Sequence, residues 1–162
     1  MARFVLLFAC LSIVPSMTPF STAQVPDDFR PSVAILHADD SDEAPFRDLV
    51  RLTLWYTAQE MHTPVNDLPH ITVIHARRAV SEQIGIAAGQ NGALLIIGDP
   101  KTRTCLFEMW IVGDDAQYAL ATGFVQLLTI QQGLGSQQEE STARRVSQQV
   151  SSAHFALRAD LK

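Results

Sequence analysis

Cysteine is almost absent from the chain, which has Cys10 and Cys105 as its two cysteines in 162 residues. Cys10 lies in the N-terminal segment that we expect to be removed on export, so the mature chain keeps Cys105 alone. An intramolecular disulfide is therefore excluded. A lone thiol at an apolar strand position is typical of a small buried hydrophobic residue rather than of a nucleophile.

Several enzyme motifs are also missing. The chain has no Gly-x-Ser-x-Gly and no Ser-x-x-Lys, the motifs that present a nucleophilic serine beside its base. Gly85, Gly89 and Gly92 are not followed by Gly-Lys-Ser/Thr, so a phosphate-binding loop is not indicated. The acidic cluster at residues 39–43 lacks the EF-hand glycine and is better explained as a solvated loop. These motifs predict no catalytic residue, metal ligand or cofactor.

Basic residues are few. Once Arg3 is removed with the N-terminal segment, 11 basic and 17 acidic residues remain, a net charge of −6. The pairs Arg77-Arg78 and Arg144-Arg145 are the only basic clusters, and helix-surface charges explain both. Because nucleic-acid binding needs a basic patch or stripe, we predict no nucleic-acid partner.

The N-terminus has the features of a secretory signal peptide. Arg3 precedes an apolar run at residues 4–14, and small residues lead to Ala23. The run is shorter than the ~20 apolar residues that span a bilayer, and Pro15 interrupts it. We therefore predict a signal peptide over residues 1–23, cleavage near Ala23, and a periplasmic or secreted mature chain with no stable membrane span.

Hydrophobic periodicity divides the mature chain into a leader and one α+β domain. Residues 24–42 are predicted to be an irregular leader, with a short strand at 33–36 as an optional addition. The domain over residues 43–162 is predicted to have a short antiparallel or mixed sheet whose edge hairpin packs on a central helix. The expected helices lie at 43–62, 76–85, about 114–132 and 139–161, and the expected strands at 70–75, 93–97 and 103–110.

An ordered set of motifs carries a family resemblance. Leu68-Pro69 precedes the first strand of the domain, residues 99–104 read Asp-Pro-Lys-Thr-Arg-Thr before an edge strand containing Trp110, and Gln132 ends the central helix. From about Glu43 onward this order resembles that of small exported bacterial proteins of uncharacterised function with a zincin-like metallopeptidase domain. The resemblance implies a zincin-like fold.

The zinc-binding motif of that family is degenerate here. A zincin helix carries His-Glu-x-x-His, in which two histidines one turn apart hold zinc and the glutamate activates water. The resemblance places Val125 and Thr129 at the histidine positions and Gln126 at the glutamate. Gln148-Gln149 stands where the last helix would supply a glutamate ligand. Since valine has no lone pair, threonine is a poor zinc ligand and glutamine is no general base, the resemblance implies a pseudoenzyme without zinc.

The residues of the same helix can also be explained by packing alone, without descent from a zincin. Leu120, Phe124, Leu127 and Leu128 form an apolar face, and Gly123 allows another element to approach closely. This structural explanation and the degenerate-peptidase hypothesis are compatible.

Three functional hypotheses follow. The leading one is an exported, inactive zincin-like domain with a binding or structural role and a protein or peptide partner. The alternative is an active hydrolase with a relocated metal or acid/base site built from some of His62, His70, His75 and Glu108. The third is an export-associated accessory protein held together by its polar terminal segment, residues 136–162.

Overall fold

The computed structural model describes residues 25–37, 43–76, 91–98, 106–112 and 116–159. They form a mixed α+β domain, as the periodicity predicts. Its strands and helices follow one another in the order β1 (Val33–His37), α1 (Glu43–Glu60), β2 (Ile71–Ala76), β3 (Gly92–Ile97), β4 (Leu106–Val112), α2 (Ala116–Gln132) and α3 (Glu139–Ala159).

The strands form one mixed sheet in the order β1-β2-β4-β3. β1, β2 and β4 run parallel, whereas β3 pairs with β4 in the antiparallel sense, with Leu94 opposite Met109. The predicted antiparallel pairing of these two segments is therefore confirmed. The turn between them, residues 99–104, lies outside the described residues, as does Cys105.

One face of the sheet packs on α1 and α2. Side chains alternate between the two faces of a strand, so every second residue of a strand points towards these helices. Burying one large apolar side chain contributes about 1.5–3 kcal/mol, so the cluster at this face is a main source of stability. It contains the following buried residues: Phe29, Phe46, Val50, Leu54, Ile71, Val73, Phe107, Met109, Ile111, Ala116, Leu120, Phe124, Leu127 and Leu128.

The terminal helix α3 packs on α1 and α2 and completes a second buried cluster. This cluster consists of Leu52, Tyr56, Ala121, Val125, Ala143, Val146, Val150 and Ala153. Polar contacts add to it: the Gln117 amide donates to the Ser147 carbonyl at 2.6 Å, and Arg145 pairs with Glu60 of α1. The terminal helix is thus an integral part of the domain core.

The predicted leader is only partly irregular. Its optional strand is present as β1, which joins the sheet beside β2 with Val33 opposite Ile71. Phe29, in the segment before β1, is 2% exposed and packs edge-on against Trp55, with ring centroids 5.0 Å apart. Arg51 of α1 donates to the carbonyl oxygen of Pro26 at 2.7 Å. Parallel pairing and this anchoring make residues 25–37 part of the domain.

The first and second helices end in the same way. Predicted to reach His62, α1 stops at Glu60, because His62 adopts a left-handed φ of 52°. The Thr63 and His62 amides then donate to Ala58 and Gln59, the pattern of a Schellman cap. At the end of α2, Gly133 has φ 67° and carries the equivalent hydrogen bond to Ile130.

Two remaining predictions concern short segments. Ala76, the expected first residue of a helix over 76–85, is instead the last residue of β2, since it pairs with Val112 in the parallel ladder. Residues 77–85 lie outside the described part of the chain, as do Asp114-Asp115 before α2. Within the described ranges, no helix has the length and apolar character needed to cross a membrane.

Candidate functional site

A groove runs between β3, at one edge of the sheet, and the N-terminal half of α2. Its volume is about 230 Å³. We call it the β3 groove, and it is lined by Asn91, Gly92, Ala93, Leu94, Met109, Ile111, Tyr118, Ala119, Thr122, Gly123 and Gln126. The strand, its partner β4 and one face of α2 therefore all contribute to it.

Two glycines set the spacing of the groove walls. A Cβ at Gly92 would lie 2.6 Å from the carbonyl oxygen of Trp110, so β3 can lie this close to β4 only because residue 92 has no side chain. A Cβ at Gly123 would lie 2.8 Å from the terminal methyl of Met109. The close approach that the sequence predicts for Gly123 is thus present, and its neighbour is a side chain of β4.

The groove has neutral polar chemistry. None of its lining residues is charged at neutral pH, and its polar side chains are Asn91, Tyr118, Thr122 and Gln126. Amides and hydroxyls donate and accept hydrogen bonds. The arrangement can hold a polar backbone against an apolar floor.

Backbone groups of β3 add to this hydrogen-bonding capacity. The Val112 amide donates to the Asn91 carbonyl at 2.9 Å, which makes these two residues a hydrogen-bonded pair. Such pairs alternate along an antiparallel ladder, so Gly92, Leu94 and Ile96 direct their N–H and C=O groups away from β4. In the described part of the chain, β4 is the one strand paired with β3.

The three degenerate-motif positions do not share one surface. Val125 is 1% exposed and Thr129 4% exposed, and Val125 belongs to the cluster that α3 completes. Neither residue is among those that line the β3 groove. Gln126 is half-buried and lines the groove. On α3, Gln148 is exposed and Gln149 is half-buried.

Other residues of the family resemblance have structural contacts. The Gln132 side-chain amide donates to the Thr63 hydroxyl at 2.8 Å and holds the end of α2 against the loop after α1. Leu68 is half-buried against the sheet cluster. Trp110 points to the opposite face of the sheet from Met109.

The residues of the relocated-site hypothesis do not converge. His75 stacks on Phe46 of α1, with ring centroids 4.3 Å apart and planes inclined by 6°. Glu108 pairs with Thr72, which is an odd number of residues from His75 along β2. The side chains of Glu108 and His75 therefore point to opposite faces of the sheet. His62 and His70 are exposed. No group of three histidine, cysteine, aspartate or glutamate residues suited to a metal ion occurs among the described residues.

Comparison with known proteins adds no relative. No family model, curated protein or solved structure matches the chain significantly. The zincin resemblance therefore rests on the ordered motifs themselves.

Sequence reasoning missed most of the β3 groove. Gly92 was considered only among the glycines of a possible phosphate-binding loop, and Tyr118 was not singled out. A signal was present in α2, where Thr122 and Gln126 lie one helical turn apart within an otherwise apolar stretch. That both residues face β3 follows only from the tertiary structure.

Proposed function

We propose that the chain is an exported, catalytically inactive zincin-like domain that binds an extended peptide segment in the β3 groove. The observation that carries the proposal is a groove that runs along a sheet edge and has no lining residue charged at neutral pH. The motif order supports the zincin-like ancestry. The replacement of the expected ligands by Val125, Gln126 and Thr129 supports the loss of catalysis.

The binding mode is β-strand addition. An extended peptide would hydrogen-bond to the outward backbone groups of Gly92, Leu94 and Ile96, and its alternate side chains would enter the groove. Gln126 and Thr122 of α2 would meet the peptide from the opposite wall. Main-chain bonds provide affinity in this mode, and the shape of the groove selects the side chains.

The experiment that tests the site uses a pair of matched variants. A peptide is first selected from a random displayed library against the chain purified after export. Gln126→Trp fills the groove and should weaken binding of that peptide at least about tenfold, a loss of about 1.4 kcal/mol. Gln148→Trp makes the same change at an exposed position of α3 and should leave binding unchanged. Equal affinities for the two variants would refute the site.

Loss of catalysis is tested separately. Metal-free protein titrated with zinc in a calorimeter should show no binding in the micromolar range, and mass spectrometry should recover the bound peptide intact. Tight one-to-one zinc binding, or cleavage that a chelator abolishes, would establish a metallopeptidase and overturn the pseudoenzyme assignment.

The accessory-protein hypothesis has less support from the fold. Val146 and Val150 of α3 are fully buried, so α3 closes the domain rather than extending from it. Deletion of residues 136–162 would expose the second cluster and destabilise the domain. A role for α3 in partner capture therefore cannot be separated from folding by that deletion.

A further inference from the structure

The edge strand β3 lacks the features that keep sheet edges from associating. Native proteins protect such edges with charged residues, proline or β-bulges. β3 reads Gly-Ala-Leu-Leu-Ile-Ile, and its register with β4 is continuous from Gly92 to Ile97. At the other edge of the sheet, Arg30 and Pro31 stand just before β1. The described residues of β3 therefore leave its edge open to another strand.

The side chains of β3 are ordered by size along the strand. Gly92 and Ala93 come first, and the four residues that follow are leucine or isoleucine. An antiparallel copy of the strand runs in the reverse direction, so its large residues meet the small ones. Pairing about a two-fold axis at Leu94 places Gly92 opposite Ile96 of the second copy. It also places Ala93 opposite Leu95, so the strand is complementary in size to itself.

The backbone of β3 has the phase that this pairing requires. Gly92, Leu94 and Ile96 direct their N–H and C=O groups away from β4, because the alternate residues bond to β4. In the register centred on Leu94, outward residues meet outward residues. Each of the three then exchanges two backbone hydrogen bonds with its counterpart, and the two sheets become one continuous sheet.

The helix layer accommodates the same arrangement. α2 packs on both β3 and β4, so its axis lies between these strands, about half a strand spacing inside the edge. With strands about 4.8 Å apart, the two α2 helices would lie about 10 Å apart. Packed helices have axes about 8–10 Å apart. Ala119, Thr122 and Gln126 line the groove and face this edge, and they bring no like charges together.

We propose that, in the absence of a bound peptide, β3 pairs with β3 of a second copy of the chain in an antiparallel two-fold dimer centred on Leu94. The inference rests on the strand-addition mode proposed for this edge, and it names the second copy as a competing occupant of the peptide site. Pairing would cover Leu95, which is 49% exposed in the single chain.

The area of contact sets the strength of the dimer. Six residues make an edge about 20 Å long, and the sheet and helix layers together are about 20 Å deep. The footprint is about 400 Å² on each copy, half that of a standard complex, so the dissociation constant is on the order of 100 µM. A dimer this weak leaves the edge free for much of the time, and a tightly bound peptide still slows exchange of the outward amides.

Charge exchange at Leu94 tests the two-fold axis, with sedimentation of the chain purified after export as the measurement. Leu94→Lys and Leu94→Glu each place two like charges opposite one another and should weaken dimerisation at least about tenfold. An equimolar mixture of the two variants pairs lysine with glutamate and should restore association. Leu36→Lys changes an exposed leucine of β1 and should leave dimerisation unchanged. Circular dichroism checks that the variants are folded.

Three results of this experiment would overturn the proposal. The first is a chain that stays monomeric up to millimolar concentration. The second is unchanged dimerisation in the folded Leu94 variants. The third is a mixture of the two variants that stays monomeric.

Cross-linking tests the register without adding charge. Cys105→Ala removes the cysteine of the mature chain, and one cysteine is then introduced into β3. Leu94→Cys should oxidise to a covalent dimer, because its Cα would lie about 5.5 Å from its counterpart, within the range of about 4.4–6.8 Å that disulfides span. Leu95→Cys would lie about 7–8 Å from its counterpart and should cross-link more slowly. Faster cross-linking through residue 95 would overturn the register.

Competition separates this inference from the peptide site. The peptide selected against the chain should dissociate the dimer, because both need the outward groups of β3. A dimer that persists with the peptide bound would refute the peptide site at β3 and leave the dimer standing. A monomeric chain that binds the peptide would overturn the dimer and leave the peptide site standing.

Discussion

The two edges of the sheet have grooves of similar construction and different chemistry. At one edge, β3 and α2 enclose the β3 groove, whose polar side chains are amides and hydroxyls. At the other edge, β1 and α1 enclose a second groove, called the arginine groove because Arg30, Arg47 and Arg51 are among its lining residues. Each floor is apolar, because alternate strand residues point towards the helix layer. The walls differ, with Thr122 and Gln126 on α2 but Arg47 and Arg51 on α1.

This difference shows that the position of a groove and the charge of its wall have separate origins. The position of each groove follows from the sheet edge and the helix that packs beside it. The charge of the wall follows from two helix residues one turn apart, Thr122 and Gln126 on α2 or Arg47 and Arg51 on α1. The neutral wall beside the outward strand amides of β3 is the basis of the proposed peptide site.

The largest expected effect comes from removing the floor of one groove. Phe29→Ala should destabilise the domain by about 3–5 kcal/mol, because Phe29 is buried against Trp55 and the deletion leaves a cavity. Chemical denaturation measures this change. Leu36→Ala, at a β1 residue that is 53% exposed, is the control and should cost less than about 0.5 kcal/mol. Similar losses for both variants would show that the leader is not anchored as described.

An intermediate effect is expected at the wall of the β3 groove. Gly92→Ala should cost about 1–3 kcal/mol, because its Cβ meets the backbone oxygen of Trp110, which cannot move alone. Gly123→Ala should cost less, since the flexible end of Met109 can shift and alanine favours the helix by up to about 1 kcal/mol. Thermal and urea unfolding of the two variants compare them directly. The reverse order would contradict the assigned wall spacing.

The smallest effect concerns the ends of the two groove helices. His62→Gly should stabilise the protein by about 0.5–1 kcal/mol, because glycine adopts the left-handed conformation without the strain that a side chain brings. Gly133→Ala makes the opposite change at the end of α2 and should destabilise by a similar amount. Urea unfolding measures both, and destabilisation by His62→Gly would reveal a contact of the imidazole that outweighs the strain.

Much of the fold could be predicted from local pattern. The spacing of apolar residues predicts α1, α2 and α3 to within about two residues at the described ends, and a turn followed by alternation predicts the pairing of β3 with β4. The membership of β1 in the sheet was left open, because parallel pairing joins segments that are distant along the chain. Phe29 packs on Trp55 and anchors the segment before β1, and no periodicity of residues 24–42 indicates that contact.

The sites were less predictable than the fold. Helical spacing places Val125 and Thr129 on one face, but it does not say what packs against that face. Val125 belongs to the cluster that α3 completes. The same spacing predicts that Arg47 and Arg51 lie on the solvent-exposed face of α1, but it does not predict that Arg30 lies beside them. Their association with Arg30 arises from the docking of β1, so the arginine groove has no signature in the sequence.

The most direct test of peptide binding at the sheet edge is amide hydrogen exchange of β3, measured by NMR with and without a saturating selected peptide. Strand addition at β3 predicts that exchange of the outward amides of Gly92, Leu94 and Ile96 slows on binding, while the peptide is recovered uncleaved. Unchanged exchange at these three amides, with protection appearing elsewhere in the chain, would contradict strand addition at β3.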